Sequence, residues 1–192
     1  MERREQLVSV AFDLFYRYGV HAVGINRVLA ESGVAKKTLY NHFPGKENLV
    51  AATVDYRDRQ FLTWMEGRVQ GAPAGKEALH AMFRALDEWF RGRDNQFYPF
   101  HGCYFINVSA EFGDPEHPIH QQCARHKKAI LGLIRNHVSQ LLASEEEVIK
   151  MSDAIATLKE GAIVQAHVLG DLQAAAKAWA IAEELLDARS QG

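Results

Sequence analysis

Apolar side chains recur three and four residues apart along almost the whole chain, and the two-residue alternation of a half-buried strand is nearly absent. The pattern predicts nine helices. The first covers about residues 3–18, with Leu7, Ala11, Leu14, Phe15 and Tyr18 facing inward and Gly19 as its stop. Helix two spans about residues 25–31 and helix three about 36–42, with Gly33 as a permissive turn between them. Pro44 then restricts Phe43 away from helical dihedrals and ends helix three.

A long fourth helix follows Gly45 and continues to about residue 69. Its apolar stripe of Leu49, Val50, Val54, Phe61, Trp64 and Met65 is interrupted by a charged patch at Asp55, Arg57, Asp58 and Arg59. Helix five, about residues 76–91, turns Leu79, Met82, Phe83, Leu86, Trp89 and Phe90 inward. An aromatic-rich loop at 92–101 leads to helix six, about 102–112, and prolines place the start of helix seven near Pro115 or Pro118, with its end near residue 142. Ser144 followed by Glu147 reads as a capping box opening helix eight, which carries Ile155, Leu158, Ala162, Ala166 and Leu169 on one face. Helix nine carries Leu172, Ala175, Trp179, Ala182 and Leu186. Alanine on both apolar faces permits close helix approach, and two such helices meeting a second copy would make a dimer. The fold class is therefore all-α: a three-helix head at residues 1–46 and a helical body at 47–192.

Hydrophobic residues at 47% and charged residues at 24% are the mix of a folded globular protein. No apolar run approaches the roughly eighteen residues of a spanning helix, and the N-terminal MERREQLVSV lacks the apolar core of a signal peptide, so no membrane association and a cytoplasmic location are expected. The two cysteines, Cys103 and Cys123, are too few for a disulfide framework. The net charge of −2 argues against a sequence-blind DNA coat, but its distribution is uneven. Residues 1–50 hold seven Lys or Arg against five Asp or Glu, whereas the remainder holds fifteen against nineteen. A basic head on an acidic body confines phosphate attraction to one end.

Residues 25–46, INRVLAESGVAKKTLYNHFPGK, read as a helix, a glycine turn and a second helix displaying cationic and short polar side chains. In a helix-turn-helix unit the second helix lies in the major groove and the first crosses the backbone. Lys36 and Lys46 suit phosphate contacts, as does Asn26 at the opening of helix two. Lys37 and Asn41 suit base edges, since Lys reaches guanine acceptors and Asn pairs with adenine. The plainer alternative is a solvated charge run.

The segment FDLFYRYGVHAVGINRVLAESGVAKKTLYNHFPGKENLV, residues 12–50, resembles the TetR/AcrR family of bacterial transcriptional regulators, with the turn glycine, the TLY triplet and the HF pair in register. Residues 161–186 resemble the dimerising C-terminal helices of one branch. The resemblance implies a homodimer joined through the last two helices, operator DNA as partner, a ligand pocket in each body that controls DNA affinity, and repression as the mode. It also implies that Thr38, Tyr40 and His42 touch DNA backbone or thymine methyl groups. Ala35 stands where many members have a capping Ser, and Gly45 where Ser is common. Candidate pocket residues are Phe61, Trp64, Met65, Phe83, Trp89, Phe100, Cys103, Tyr104, Asn107 and Gln165, whose aromatic excess favours an apolar or aromatic effector; plain core packing is the alternative for each.

An alternative signal is a thiol or metal response. Cys103 opens helix six, where the dipole favours a thiolate. His117, His120, Cys123 and His126 follow at three-residue spacing, but a helix drifts by about 60° per step of three, so at most two neighbours with Glu111 converge on one ion. No metal site or cofactor is assigned. No phosphate-cradling Gly-rich loop, nucleophile elbow or HExxH occurs, so an enzyme is not expected.

Overall fold

The computed structural model describes residues 2–94 and 97–190, and all regular structure among them is helical. Nine helices follow in order: α1 (Arg3–Tyr18), α2 (Ile25–Ser32), α3 (Lys36–His42), α4 (Lys46–Gln70), α5 (Lys76–Phe90), α6 (Tyr104–Glu111), α7 (Pro118–Val138), α8 (Glu145–Val168) and α9 (Ala174–Ser190). Positions 95 and 96 of the expected aromatic loop lie outside the described residues. The helices form two compact units, residues 1–61 with 103–126 and residues 62–102 with 127–192. These units divide within α4, between α5 and α6 and within α7, and α6 belongs to the same unit as α1, α2 and α3.

In the first unit α1 buries Leu7, Val8, Ala11, Phe12, Leu14 and Phe15. Its last expected inward residue does not follow: Tyr18 is 51% exposed. It sits in the final turn, where the ring lies 4.1 Å under the Arg27 guanidinium. Arg57 departs in the opposite sense. It belongs to the charged patch in sequence, yet it is 1% exposed. Its guanidinium lies 5.5 Å from the ring centroids of Phe12 and Tyr16 and 5.7 Å from that of Phe61. A planar, weakly hydrated cation is attracted by aromatic faces, an arrangement that four-residue periodicity does not encode.

In the second unit the alanine faces of α8 and α9 meet, with Ala162, Ala166, Ala175, Ala178 and Ala182 buried, and Trp179 of α9 packs 5.7 Å from Phe83 of α5. Leu169 and Leu172, expected on these inner faces, are 73% and 43% exposed because α8 ends at Val168 and α9 begins only at Ala174. The capping box is also absent. Ser144 is the N-cap of α8 but makes no side-chain cap bond, and Glu147 instead pairs with Arg189 at 3.0 Å.

His137 of α7 is buried in this unit, and its Nδ1 accepts the Gly75 N–H at 3.4 Å. Burial holds its pKa below the ordinary imidazole value. The neutral form is thus the one that fits the fold. As pH falls through about 6.5 the unfolded chain takes up a proton that the folded chain resists, so stability is lost toward acid. Urea unfolding between pH 7.5 and 5 should show this loss, and His137→Gln should flatten that part of the profile; parallel profiles would refute the assignment.

Candidate nucleic-acid interface

The α2–turn–α3 unit is built on a left-handed Gly33, φ 65°, whose N–H closes on the Leu29 carbonyl at 3.0 Å. A side chain is strained at that φ, so glycine sets the turn. Two residues unremarked in the sequence lock it. The buried Ser32 hydroxyl oxygen accepts the Val34 N–H at 3.3 Å, and Gln6 of α1 donates to the Ser32 carbonyl at 2.8 Å. Polar residues at helix ends are common, and nothing in their spacing announces these bonds.

Helix α3 is held by two side chains. Leu39 is 0% and Phe43 3% exposed, four residues apart on one face. Lys36, Lys37, Tyr40, Asn41 and His42 are exposed, and Thr38 is half-buried. Ala35 is the N-cap and supplies no side-chain bond, so backbone groups alone start the helix, with the Thr38 N–H on the Ala35 carbonyl at 2.9 Å. Asn26 is exposed on α2. Lys46, the first residue of α4, is half-buried with its ammonium Nζ 6.0 Å from the Phe15 ring centroid.

Further cations flank this face. The Arg4 guanidinium lies 5.3 Å over the Phe43 ring, at the exit of α3. Arg27 stacks on Tyr18 and pairs with Glu31 at 3.2 Å, an i,i+4 spacing that was available in the sequence.

The other candidate residues fall in both units. In the first, Phe61 is buried edge-on to His126 at 5.2 Å, and Asn107 is half-buried on α6. Tyr104 is buried with its hydroxyl 2.7 Å from the Thr53 hydroxyl, and burial pushes its pKa above the ordinary phenol range. Cys103 is the buried N-cap of α6, immediately before its first helical residue Tyr104. In the second unit Met65 and Phe83 are core, whereas Trp64, Trp89 and Phe100 gather with Phe97. Phe97 stacks on Trp64 at 4.2 Å, and the Trp64 indole donates to Asp94 at 2.7 Å. Gln165 does not join them; it is exposed on α8 between Val164 and Ala166.

The His and Cys series that starts just before α7 and continues along it is occupied piecemeal. His117 lies 3.7 Å from Glu47, His120 is 2.8 Å from the Phe112 carbonyl, and Cys123 is buried. His126 pairs with Asp58 at 2.7 Å and stacks on Phe105. Among the described residues no three His, Cys, Asp or Glu side chains gather as metal ligands. No helix among them is long and apolar enough to cross a membrane.

Residues 7–53 match the family described as bacterial regulatory proteins, tetR family, and residues 75–182 match the tetracyclin repressor-like C-terminal domain. The chain is 24% identical over 164 residues to the HTH-type transcriptional regulator LmrA of Bacillus subtilis, covering 85% of each. Over 98 residues it is 31% identical to the HTH-type transcriptional repressor KstR2 of Mycolicibacterium smegmatis, covering 49% of this chain and 46% of that protein. Among solved structures, a TetR-family transcriptional regulator from Streptomyces coelicolor superposes with a TM-score of 0.86 at 28% identity, covering 98% of this chain and 96% of that one.

Proposed function

The chain belongs to the tetR family of bacterial regulatory proteins and is a DNA-binding transcriptional regulator, and from that premise we propose that it is a cytoplasmic homodimeric repressor released from its operator by a small apolar or aromatic effector. The observation that carries the DNA reading is the polar face of α3, exposed over the buried pair Leu39 and Phe43. Lys37 and Asn41 read base edges, with Thr38, Tyr40 and His42 beside them; Lys36, Lys46 and Asn26 hold phosphates. Arg4 adds a cation at the same end. The effector reading is supported by the concentration of Trp64, Trp89, Phe97 and Phe100 in one aromatic group, a composition that suits a flat apolar molecule.

The test begins with duplexes selected by the protein from a random-sequence pool. Lys37→Ala is expected to weaken binding and change the preferred bases, whereas Lys46→Ala weakens all duplexes alike and reduces the salt slope by about two for a dimer. Mobility-shift titrations read both, and equal losses on selected and random DNA for both variants would refute the division of roles. A thermal-shift screen with aromatic compounds, followed by release of the selected duplex, tests the effector. The absence of stabilisation by every hydrophobic compound would count against it.

A further inference from the structure

The geometry points to Glu111, at the end of α6, as the positioning residue that sets the DNA-reading helices from outside the head. Its carboxylate accepts the backbone N–H of Val20 at 2.7 Å through Oε1 and that of His21 at 2.6 Å through Oε2; the His21 Nδ1 lies 2.7 Å from the same Oε2. Val20 and His21 begin the link from α1 to α2, directly after Gly19, where φ is 86° and an added Cβ would meet Oε1 at 3.3 Å. One side chain, ninety-one residues from Val20 in sequence, thus completes the backbone of the turn that aims α2.

The other end of α6 is anchored in the same unit. Tyr104, its first residue, shares a 2.7 Å hydrogen bond with Thr53 of α4 and packs edge-on against Phe12 and Tyr16 of α1 at 5.0 and 5.8 Å. Helix α6 is therefore a strut fixed to α4 and α1 at its start and to the α1–α2 link at its end. Hydrogen bonds from two N–H groups to a carboxylate are charge-assisted and directional, so they fix the angle of the link as well as holding it. Burial acts to raise the Glu111 pKa, but the His21 and Val20 N–H groups outweigh it and hold the carboxyl below its usual range, which keeps the acceptor ionised. A glutamine at 111 has one acceptor oxygen and turns an NH₂ toward the second N–H.

This role rests on the DNA-binding reading, and the experiment separates the two. Wild type, Glu111→Gln, Glu111→Asp and His21→Ala are compared on a duplex selected by the wild-type protein, on a scrambled duplex, and by amide exchange without DNA. Glu111→Gln should bind the selected duplex roughly tenfold more weakly, with scrambled-duplex binding changed by less than about twofold. The amides of Val20 and His21 and of α3 should exchange faster in that variant. His21→Ala keeps both backbone bonds and should behave as wild type in exchange, while Glu111→Asp, charged but one methylene shorter, should fall between and serves if the glutamine variant fails to fold. Unchanged discrimination together with unchanged α3 exchange in the folded Glu111 variants would overturn the role. If wild type selects no duplex, the DNA reading fails, and faster α3 exchange in the variants would still establish the strut.

Discussion

Replacing Glu160 with alanine is expected to lower the unfolding free energy by about 3 kcal/mol at neutral pH. Glu160 of α8 lies between two ammonium groups, 2.7 Å from Lys159 Nζ and 2.6 Å from Lys127 Nζ of α7. The Lys159 side chain is only 1% exposed. Burial works to raise the carboxyl, but the two lysines outweigh it and hold its pKa at about 2. A depression of that size from an ordinary carboxylate corresponds to roughly 3 kcal/mol. The side chains of Glu160 and Lys127 stay 31% and 30% exposed, which screens part of it, while the alanine variant also takes a carboxylate away from the buried Lys159 ammonium.

The sign with pH follows. Glu160 is depressed in the fold, so its contribution is fully present above the unfolded carboxylate pKa of about 4.3 and disappears as pH falls through about 2. Between pH 5 and 8 the deficit of the variant should therefore be constant, separate from the His137 effect. The double change Lys159→Met with Glu160→Gln should recover most of the loss, because it removes the buried charge instead of stranding it. Urea unfolding of the three proteins checks this; a deficit below about 1 kcal/mol in the single variant would mean that solvent screens the pair.

The contrast between Glu160 and the helix pattern explains what could be read in advance. Every helix boundary that rested on a glycine, a proline or an apolar repeat falls within a few residues of its place, because those signals act through local dihedrals and period. The exposed polar face of α3 was legible for the same reason. The turn glycine, the four-residue pair Leu39 and Phe43, and the polar residues between them are a local grammar.

What escaped was long-range or electrostatic. Arg57 carries a formal charge in a charged run, and three rings from α1 and α4 lie against its buried guanidinium. Glu111 was weighed in the sequence only as a companion ligand to nearby histidines, although its partners lie ninety residues away at the end of α1. Tyr18 fits the inward repeat of α1 but occupies its last turn, where its ring turns outward under the Arg27 guanidinium. Ser144 and Glu147 satisfy the spacing of a cap, yet the Arg189 guanidinium competes for the carboxylate and wins. A spacing rule states which contacts a helix permits; it is silent about which partner arrives from another part of the chain.

The outer faces of the last two helices carry the other large expected effect. Val164 and Val168 on α8 are 46% and 71% exposed, and Ile181 and Leu185 on α9 are 49% and 41% exposed, each pair one turn apart. The inner faces are already filled by alanines and Trp179, so these residues are surplus to the fold of one chain. Apolar side chains concentrated on one surface favour an interface, and a self-complementary patch on two helices suits a two-fold dimer. The double variant Val164→Glu with Val168→Glu would put carboxylates into the proposed interface and should be monomeric by analytical ultracentrifugation. Because a dimer engages two half-sites and gains effective concentration from the link between them, the monomer should bind the selected duplex at least about a hundredfold more weakly. Its far-UV circular dichroism should remain helical, since the buried alanine contacts between α8 and α9 are untouched. A variant that stays dimeric with full operator affinity would move the interface elsewhere; a monomer that keeps full affinity would instead refute two-site reading of the operator, because two weakly held recognition helices depend on their tether.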